Sequence, residues 1–280
     1  MQAPDDIDWQ RAWADAQREK SANVVCMKWG GLYGPEWVNR LYGMVQRHTS
    51  WTIRFVCLTD DSTGIRPEVE CLPFPPLALD AEVGRKWRGK DDPWWRKLTF
   101  YSPAIHDLAG MTLYLDMDVI VVRDIDPLFE LPGRFCMMRI WRPERFPGKL
   151  GNSSVVRTFV GAESYVLERF LSHPHEHWSE EFGGHDQRFV SDTVHEISFF
   201  PDGWCVPFKT TLPRNGLVKF FSRPRIPTDA KIVVFSGLNT PPAAMRGEID
   251  PSKSPDPARR QMRFRRRFRP APWIGELWAE

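Results

Sequence analysis

Apolar residues in this chain fall in short runs whose internal spacing alternates between strand-like and helix-like over the first third of the sequence. Val24 to Trp29 is apolar apart from one lysine and predicts a strand. Gly30-Gly31-Leu32-Tyr33-Gly34 predicts a loop. Pro35 suits the first position of a helix, where its missing N–H would have no intrahelical partner. Trp37, Val38, Leu41, Tyr42 and Val45 then share one face at helical spacing. Arg54 to Asp60 and Val69 to Phe74 predict two more strands. Strand, helix, strand, strand is the opening of an α/β sheet.

Residues 75 to 93, with proline, glycine and many charges, predict a loop. Trp94 to Leu108 predicts a mostly helical stretch interrupted at Pro103. Asp124 to Phe129 predicts a turn into a short helix, and Glu163 to His173 an amphipathic helix. Phe135 to Trp141, Ser153 to Arg157, Ile197 to Phe200 and Ile232 to Phe235 predict the later strands. From Pro241 to Pro257 the chain is rich in proline, serine and charge. The expected organisation is a polar N-terminal segment (1–22), one domain (23–240) and a tail (241–280), proline-rich and then arginine-rich.

One run stands apart. Residues 111 to 123 read Met-Thr-Leu-Tyr-Leu-Asp-Met-Asp-Val-Ile-Val-Val-Arg, which predicts a strand buried on both faces. Asp116 and Asp118 interrupt it, and charged side chains are rarely buried without partners. At i and i+2 of a strand they would point the same way, about 6.5 Å apart, and suit a shared hard cation held through oxygen. The alternative is two solvated carboxylates at a strand end. In open α/β sheets, ligands bind beyond the carboxyl ends of the strands. The Gly30–Gly34 loop, Asp60 with Asp61, and Asp116 with Asp118 all fall at or near such ends.

Composition narrows the classes. The five cysteines (Cys26, Cys57, Cys71, Cys136, Cys205) form no CxxC pair, which excludes a disulfide framework and a zinc site and predicts a reducing cytoplasm. The N-terminus is too polar and acidic for a signal peptide. No stretch reaches the roughly 18 uncharged apolar residues of a spanning helix. Net charge over the 280 residues is only +2, but seven arginines and no acids lie between Arg259 and Arg269. Interleaved with Met262, Phe264 and Phe268, they predict peripheral contact with the anionic inner face of a membrane; the alternative is a helix packed on the domain.

Leu113-Tyr114-Leu115-Asp116-Met117-Asp118 and the turn through Phe129 resemble the Asp-x-Asp strand and following turn of the glycogenin-like (family eight) retaining glycosyltransferases of GT-A fold. Gly151-Asn152-Ser153-Ser154-Val155-Val156 resembles that family's Asn-Ser-Gly-Val segment, and Gly184-His185-Asp186-Gln187 its Asp-Gln helix start. Lys97 lies where the family has a basic residue on the preceding helix. The resemblance covers about residues 24 to 240. It implies an α/β fold: a single GT-A (Rossmann-like) nucleotide-diphospho-sugar transferase domain with a mixed central sheet. It also implies a uridine-diphosphate sugar donor, a glycan, lipid or protein acceptor, retention of configuration, and Mn2+ (or Mg2+) held by Asp116 and Asp118. Asp186, Asn152 and Gln187 are then the catalytic candidates. Donor binding falls to Trp29, Gly30, Leu32 and Tyr33 after the first strand, to Asp60, Lys97 and Asp116, and to Ser236 with Gly237. The chain departs from the family where Val234 replaces a metal-binding histidine and Thr240 a phosphate-binding lysine. Ser154 replaces the glycine of Asn-Ser-Gly, and Arg188 the second acid of Asp-Gln-Asp.

Each candidate has a plainer reading. Asp186 would serve as a helix cap or first-turn acid, Asn152 as a turn residue and Lys97 as part of a solvated face. Trp29 and Tyr33 would stack on a base or pack in the core. His185 and His195 are lone histidines, more often structural than ligating. Three other functions compete: a nucleotidyltransferase using the same edge and metal, an Asp-x-Asp phosphatase-like hydrolase, and a non-enzymatic nucleic-acid or membrane binder. Asp-x-Asp phosphatases usually open on their motif, which here follows three strands. No nucleic-acid motif accompanies the arginine-rich tail, so no nucleic-acid partner is expected.

Overall fold

The computed structural model describes residues 7–77, 94–140, 151–174, 186–213, 218–251 and 268–280. Its first half runs α1 (Trp9–Glu19), β1 (Ser21–Lys28), α2 (Pro35–Arg47), β2 (Thr52–Thr59), β3 (Glu70–Leu72), a 3₁₀ helix (Trp94–Tyr101), β4 (Met111–Leu115), β5 (Val119–Val121) and α3 (Asp126–Glu130). The second half runs β6 (Cys136–Arg139), β7 (Gly151–Phe159), α4 (Ser164–Ser172), α5 (Asp186–Thr193), β8 (Ser198–Phe199), β9 (Cys205–Pro207), β10 (Ile232–Val234), α6 (Pro241–Met245) and α7 (Trp273–Leu277).

Seven strands form a mixed sheet in the order β3-β2-β1-β4-β7-β6-β8; β5, β10 and β9 form a second, small sheet. β3, β2, β1 and β4 are parallel, and β7 enters antiparallel to β4. Both faces of the large sheet are covered, which is why its central strands read as unbroken apolar runs. On β1, Val24 and Cys26 face α2 and the small sheet, while Val25 and Met27 face the other way, among Leu98, Phe170 and Phe189. On α2 the predicted stripe buries Val38, Leu41 and Val45, with Met44 added.

Three expectations change. First, residues 111–123 are not one strand. Asp116 N–H bonds to the carbonyl of Ser154 in the large sheet, whereas the Asp118 carbonyl accepts from Phe235 N–H beside the small one. The chain therefore crosses between sheets at a turn, and Asp116 and Asp118 sit on that turn rather than on one strand face. Second, the helix predicted from Trp94 to Leu108 is a 3₁₀ helix that stops at Tyr101. The residue before a proline avoids the helical region, so Pro103 ends it early. Third, the described parts of both terminal segments pack on the domain. α1, capped by Asp8 accepting from Arg11 N–H at 3.0 Å, lays Trp9, Trp13 and Ala16 against the core.

At the other end Phe268, Ala271, Ile274 and Trp278 are buried in the same core. Trp278 packs edge-on against Trp37, ring centroids 4.9 Å apart, beneath the Arg40 guanidinium at 4.1 Å. Arg47 donates to the carbonyls of Leu277 and Ala279. Phe268 and Trp278 are thus unavailable to a membrane, while Met262, Phe264 and the arginines from 259 to 267 lie outside the described residues. Trp278→Ala is expected to lower the free energy of unfolding by about 3 kcal/mol, as for an aromatic side chain lost from a core. Urea denaturation measures this; a change within about 0.5 kcal/mol, normal for a surface site, would contradict the packing. Among the described residues no helix is long and apolar enough to cross a membrane.

Candidate functional site

Because β1, β2 and β4 are parallel, their carboxyl ends share one edge of the large sheet. Asp116 is the centre of a polar cluster there. Its Oδ1 accepts hydrogen bonds from Lys97 Nζ at 2.9 Å and from the Tyr114 hydroxyl at 2.8 Å. Lys97, reaching in from the 3₁₀ helix, also donates to Ser153 Oγ at 3.2 Å and lies 3.5 Å from Asp186 Oδ2. Ser153 Oγ in turn donates to Asp186 Oδ2 at 2.6 Å. The three charged side chains are only 12% (Lys97), 26% (Asp116) and 17% (Asp186) exposed, so water screens them weakly. Burial alone would lower the Lys97 pKa, but the Asp116 and Asp186 charges outweigh it and hold it above the usual lysine value. Burial first, and the Asp116 charge second, push the Tyr114 hydroxyl far up, so it remains a donor.

Asp186 opens α5, and β7 carries Asn152 and Ser153. A bond from Gly151 N–H to Ser191 Oγ (2.9 Å) ties strand and helix together. Asn152 Nδ2 donates to Gln187 Oε1 at 3.2 Å while its Oδ1 accepts from Ser154 N–H. The three predicted catalytic residues therefore share one wall. Ser153, Tyr114 and Arg96 were not among the predicted site residues. Tyr114 could have been found from its i−2 spacing to Asp116, and Ser153 from its place beside Asn152; a serine or tyrosine without a charge gives little other signal.

The loop after β1 reaches the other carboxylate of the turn. The Tyr33 hydroxyl donates to Asp118 Oδ2 at 3.1 Å. Burial, then the charges of Asp118 and Asp116, raise its pKa well beyond the ordinary tyrosine range. Its ring stands on Trp37 at 4.7 Å, and Trp37 on Trp278. Gly30 sits at φ +57°, a left-handed backbone suited to glycine, and its N–H donates to Asp60 Oδ2 at 3.2 Å. Trp29 packs edge-on against Phe74, and Leu32 is exposed. Ser236 and Gly237 follow β10, next to the Phe235 N–H that bonds to the Asp118 carbonyl. His195 stacks on Tyr165 at 4.5 Å and is part of neither group; His185 lies outside the described residues.

Among the described residues no group of three His, Cys, Asp or Glu side chains converges for a metal. Val234 is a buried strand residue paired with Val119, and Thr240 caps α6. Neither replaces the histidine or lysine whose position it occupies. What remains is a pair of carboxylates on one turn. That donor set fits a hard divalent cation of the kind that takes one or two carboxylates and completes its shell with phosphate oxygens and water.

No protein-family model matches the sequence, and no curated protein matches it. Among solved structures, the fold is similar to that of the galactosyltransferase LgtC in complex with donor and acceptor sugar analogues: TM-score 0.54, 14% identity, 78% of this chain and 88% of that one covered. A crystal structure of an active-site mutant of LgtC matches at TM-score 0.55 and 13% identity, covering 78% and 89%. The mixed seven-stranded sheet and its helices are those of the GT-A glycosyltransferase fold.

Proposed function

We propose that the protein is a metal-dependent glycosyltransferase that moves a sugar from a nucleoside-diphosphate sugar, a uridine one in the first instance, to a glycan, lipid or protein acceptor with retention of configuration. The observation that carries this reading is the cluster of Lys97, Asp116 and Asp186, beside Asp118, at the carboxyl edge of a GT-A sheet. The similar galactosyltransferase was solved with donor and acceptor sugar analogues, which supports a sugar donor here. Retention rests on the motif resemblance.

Glycosyl transfer separates a nucleoside diphosphate from an anomeric carbon that becomes oxocarbenium-like. Asp116 and Asp118 would hold Mn2+ or Mg2+, which when bound supplies Lewis-acid stabilisation of the departing diphosphate. Lys97 carries a full positive charge at neutral pH and adds a point charge beside that leaving group. Asp186, oriented by Ser153, offers a carboxylate to the cationic sugar, and the Asn152–Gln187 pair binds its hydroxyls. The free cysteines support a cytoplasmic location. Peripheral membrane contact would rest on the arginines before Phe268.

Thermal unfolding with uridine, guanosine, adenosine, cytidine and thymidine diphosphate sugars, each with manganese or chelator, tests the reading. Two carboxylates repel a diphosphate, so stabilisation is expected only with the cation. A donor at about 100 times its dissociation constant adds roughly 2.7 kcal/mol. For a domain of this size that is a shift of about 5–10 °C. No manganese-dependent shift with any donor would overturn the proposal.

A further inference from the structure

Three large apolar side chains stand in water within four positions. Val218 and Phe220, in a short 3₁₀ turn (Val218–Phe220), are 38% and 42% exposed, and Phe221 after it is 82% exposed. Phe221 N–H and Ser222 N–H both donate to the Val218 carbonyl, at 2.9 and 2.8 Å, and close the turn that carries them. Leu32 and Met245 are exposed too, but singly, which is ordinary for a folded surface.

Charge of one sign surrounds this patch. Arg223 and Arg225 follow it, both exposed, while Pro224 between them is buried and holds the segment to the domain. From Gly203 to Thr228 the sequence has five lysines and arginines and no acid. A second basic stretch, the seven arginines from 259 to 269, meets the fold at Phe268, whose ring packs on Phe208 at 5.4 Å. Phe208 opens the 3₁₀ turn (Phe208–Thr211) that leads into the patch segment. Both basic stretches are rooted at that one aromatic contact.

The segment is rooted beside the carboxylate turn as well. Val119, Val234 and Pro207 form one row across β5, β10 and β9. Asp118 precedes that row on β5 and Phe208 follows it on β9, so both lie at the same edge, about 10 Å apart at about 4.8 Å per strand. Arg225 N–H returns to the Thr211 carbonyl at 2.8 Å, so the chain leaves and rejoins the domain near that edge.

We infer that Val218, Phe220 and Phe221, with Arg223 and Arg225, form a docking surface for an anionic lipid bilayer. The inference deepens the peripheral membrane contact proposed above and does not depend on the donor. Exposed aromatic rings enter the boundary between headgroups and acyl chains, and arginines beside them meet the lipid phosphates. A second copy of the chain suits the patch less, because pairing two such surfaces would bring like charges together. Docked this way, the protein meets the bilayer through a segment rooted beside Asp118.

Co-sedimentation of the full chain with phosphatidylcholine vesicles, with and without phosphatidylglycerol, tests this. Binding is expected only with phosphatidylglycerol and should weaken as salt is raised. Phe221→Ser should weaken it at least about tenfold, the scale of one phenyl ring withdrawn from an apolar phase. The urea midpoint should stay unchanged, as for other exposed sites. Arg223→Gln should weaken binding about fivefold, the share of one basic residue near an anionic surface. Undiminished binding of Phe221→Ser overturns the inference and spares the arginine-rich tail. Equal binding to both kinds of vesicle, or to neither, overturns both. A dimer that Phe221→Ser dissociates, seen by analytical ultracentrifugation, would also overturn it by giving the patch to a second copy. Manganese-dependent stabilisation by a sugar donor is untouched by any of these results, so the donor-site reading fails or stands separately.

Discussion

Asp116→Asn and Asp118→Asn are each expected to reduce sugar transfer at least about a thousandfold while leaving the protein folded. The substitution removes charge but keeps an oxygen acceptor. In Asp116→Asn the amide oxygen can still accept from Lys97 and Tyr114, and in Asp118→Asn from Tyr33. Both side chains lie on the turn between sheets rather than inside a layer, so packing is unchanged. What disappears is the negative charge that would hold a divalent cation against a diphosphate, a stabilisation of several kcal/mol at the transition state. Turnover measured beside the urea midpoint separates the two effects. Near-normal turnover in both folded variants would remove the carboxylate pair from the chemistry.

Much of this site was legible because charge is conspicuous in an apolar run. Asp116 and Asp118 stood out for that reason, and Pro35 and the stripe through Val45 marked α2 in the same way. The break at residues 116–118 was not legible. Val119 to Val121 is as apolar as Met111 to Leu115, and only tertiary pairing, with β10 instead of β7, tells them apart. α1 was not legible because its four core-facing side chains, Trp9, Ala12, Trp13 and Ala16, include two alanines and are interspersed with charge. The C-terminal residues looked like a tail because their partners, Trp37 and Arg40, lie more than two hundred positions away. The neutral members of the cluster, Ser153 and Tyr114, acquire meaning only from the carboxylates that folding brings to them.

Lys97→Met should lower stability, lower activity and increase the response to manganese. Lys97 stands between Asp116 and Asp186, and removing it leaves two partly buried carboxylates without their cation. Breaking a fully buried pair costs about 3–5 kcal/mol; with these acids partly exposed, a loss of about 2 kcal/mol is expected. The pH dependence has a definite sign. The folded pKa of Lys97 is raised, so its contribution is complete below the unfolded lysine value and disappears only as pH rises through the folded one. The stability gap between wild type and variant should therefore stay constant from neutrality to about pH 10, near that unfolded value, and close only above it. Turnover should fall about a hundredfold or more with the loss of a charge beside the leaving group. Manganese alone has the opposite consequence. In the ligand-free protein the Lys97 ammonium occupies Asp116 Oδ1, so any cation at that carboxylate must compete with it. Removing the ammonium ends the competition, and manganese without donor should raise the melting temperature of Lys97→Met more than that of the wild type. An equal or smaller rise would mean that the cation does not bind at Asp116, even if the variant were unstable and inactive as expected.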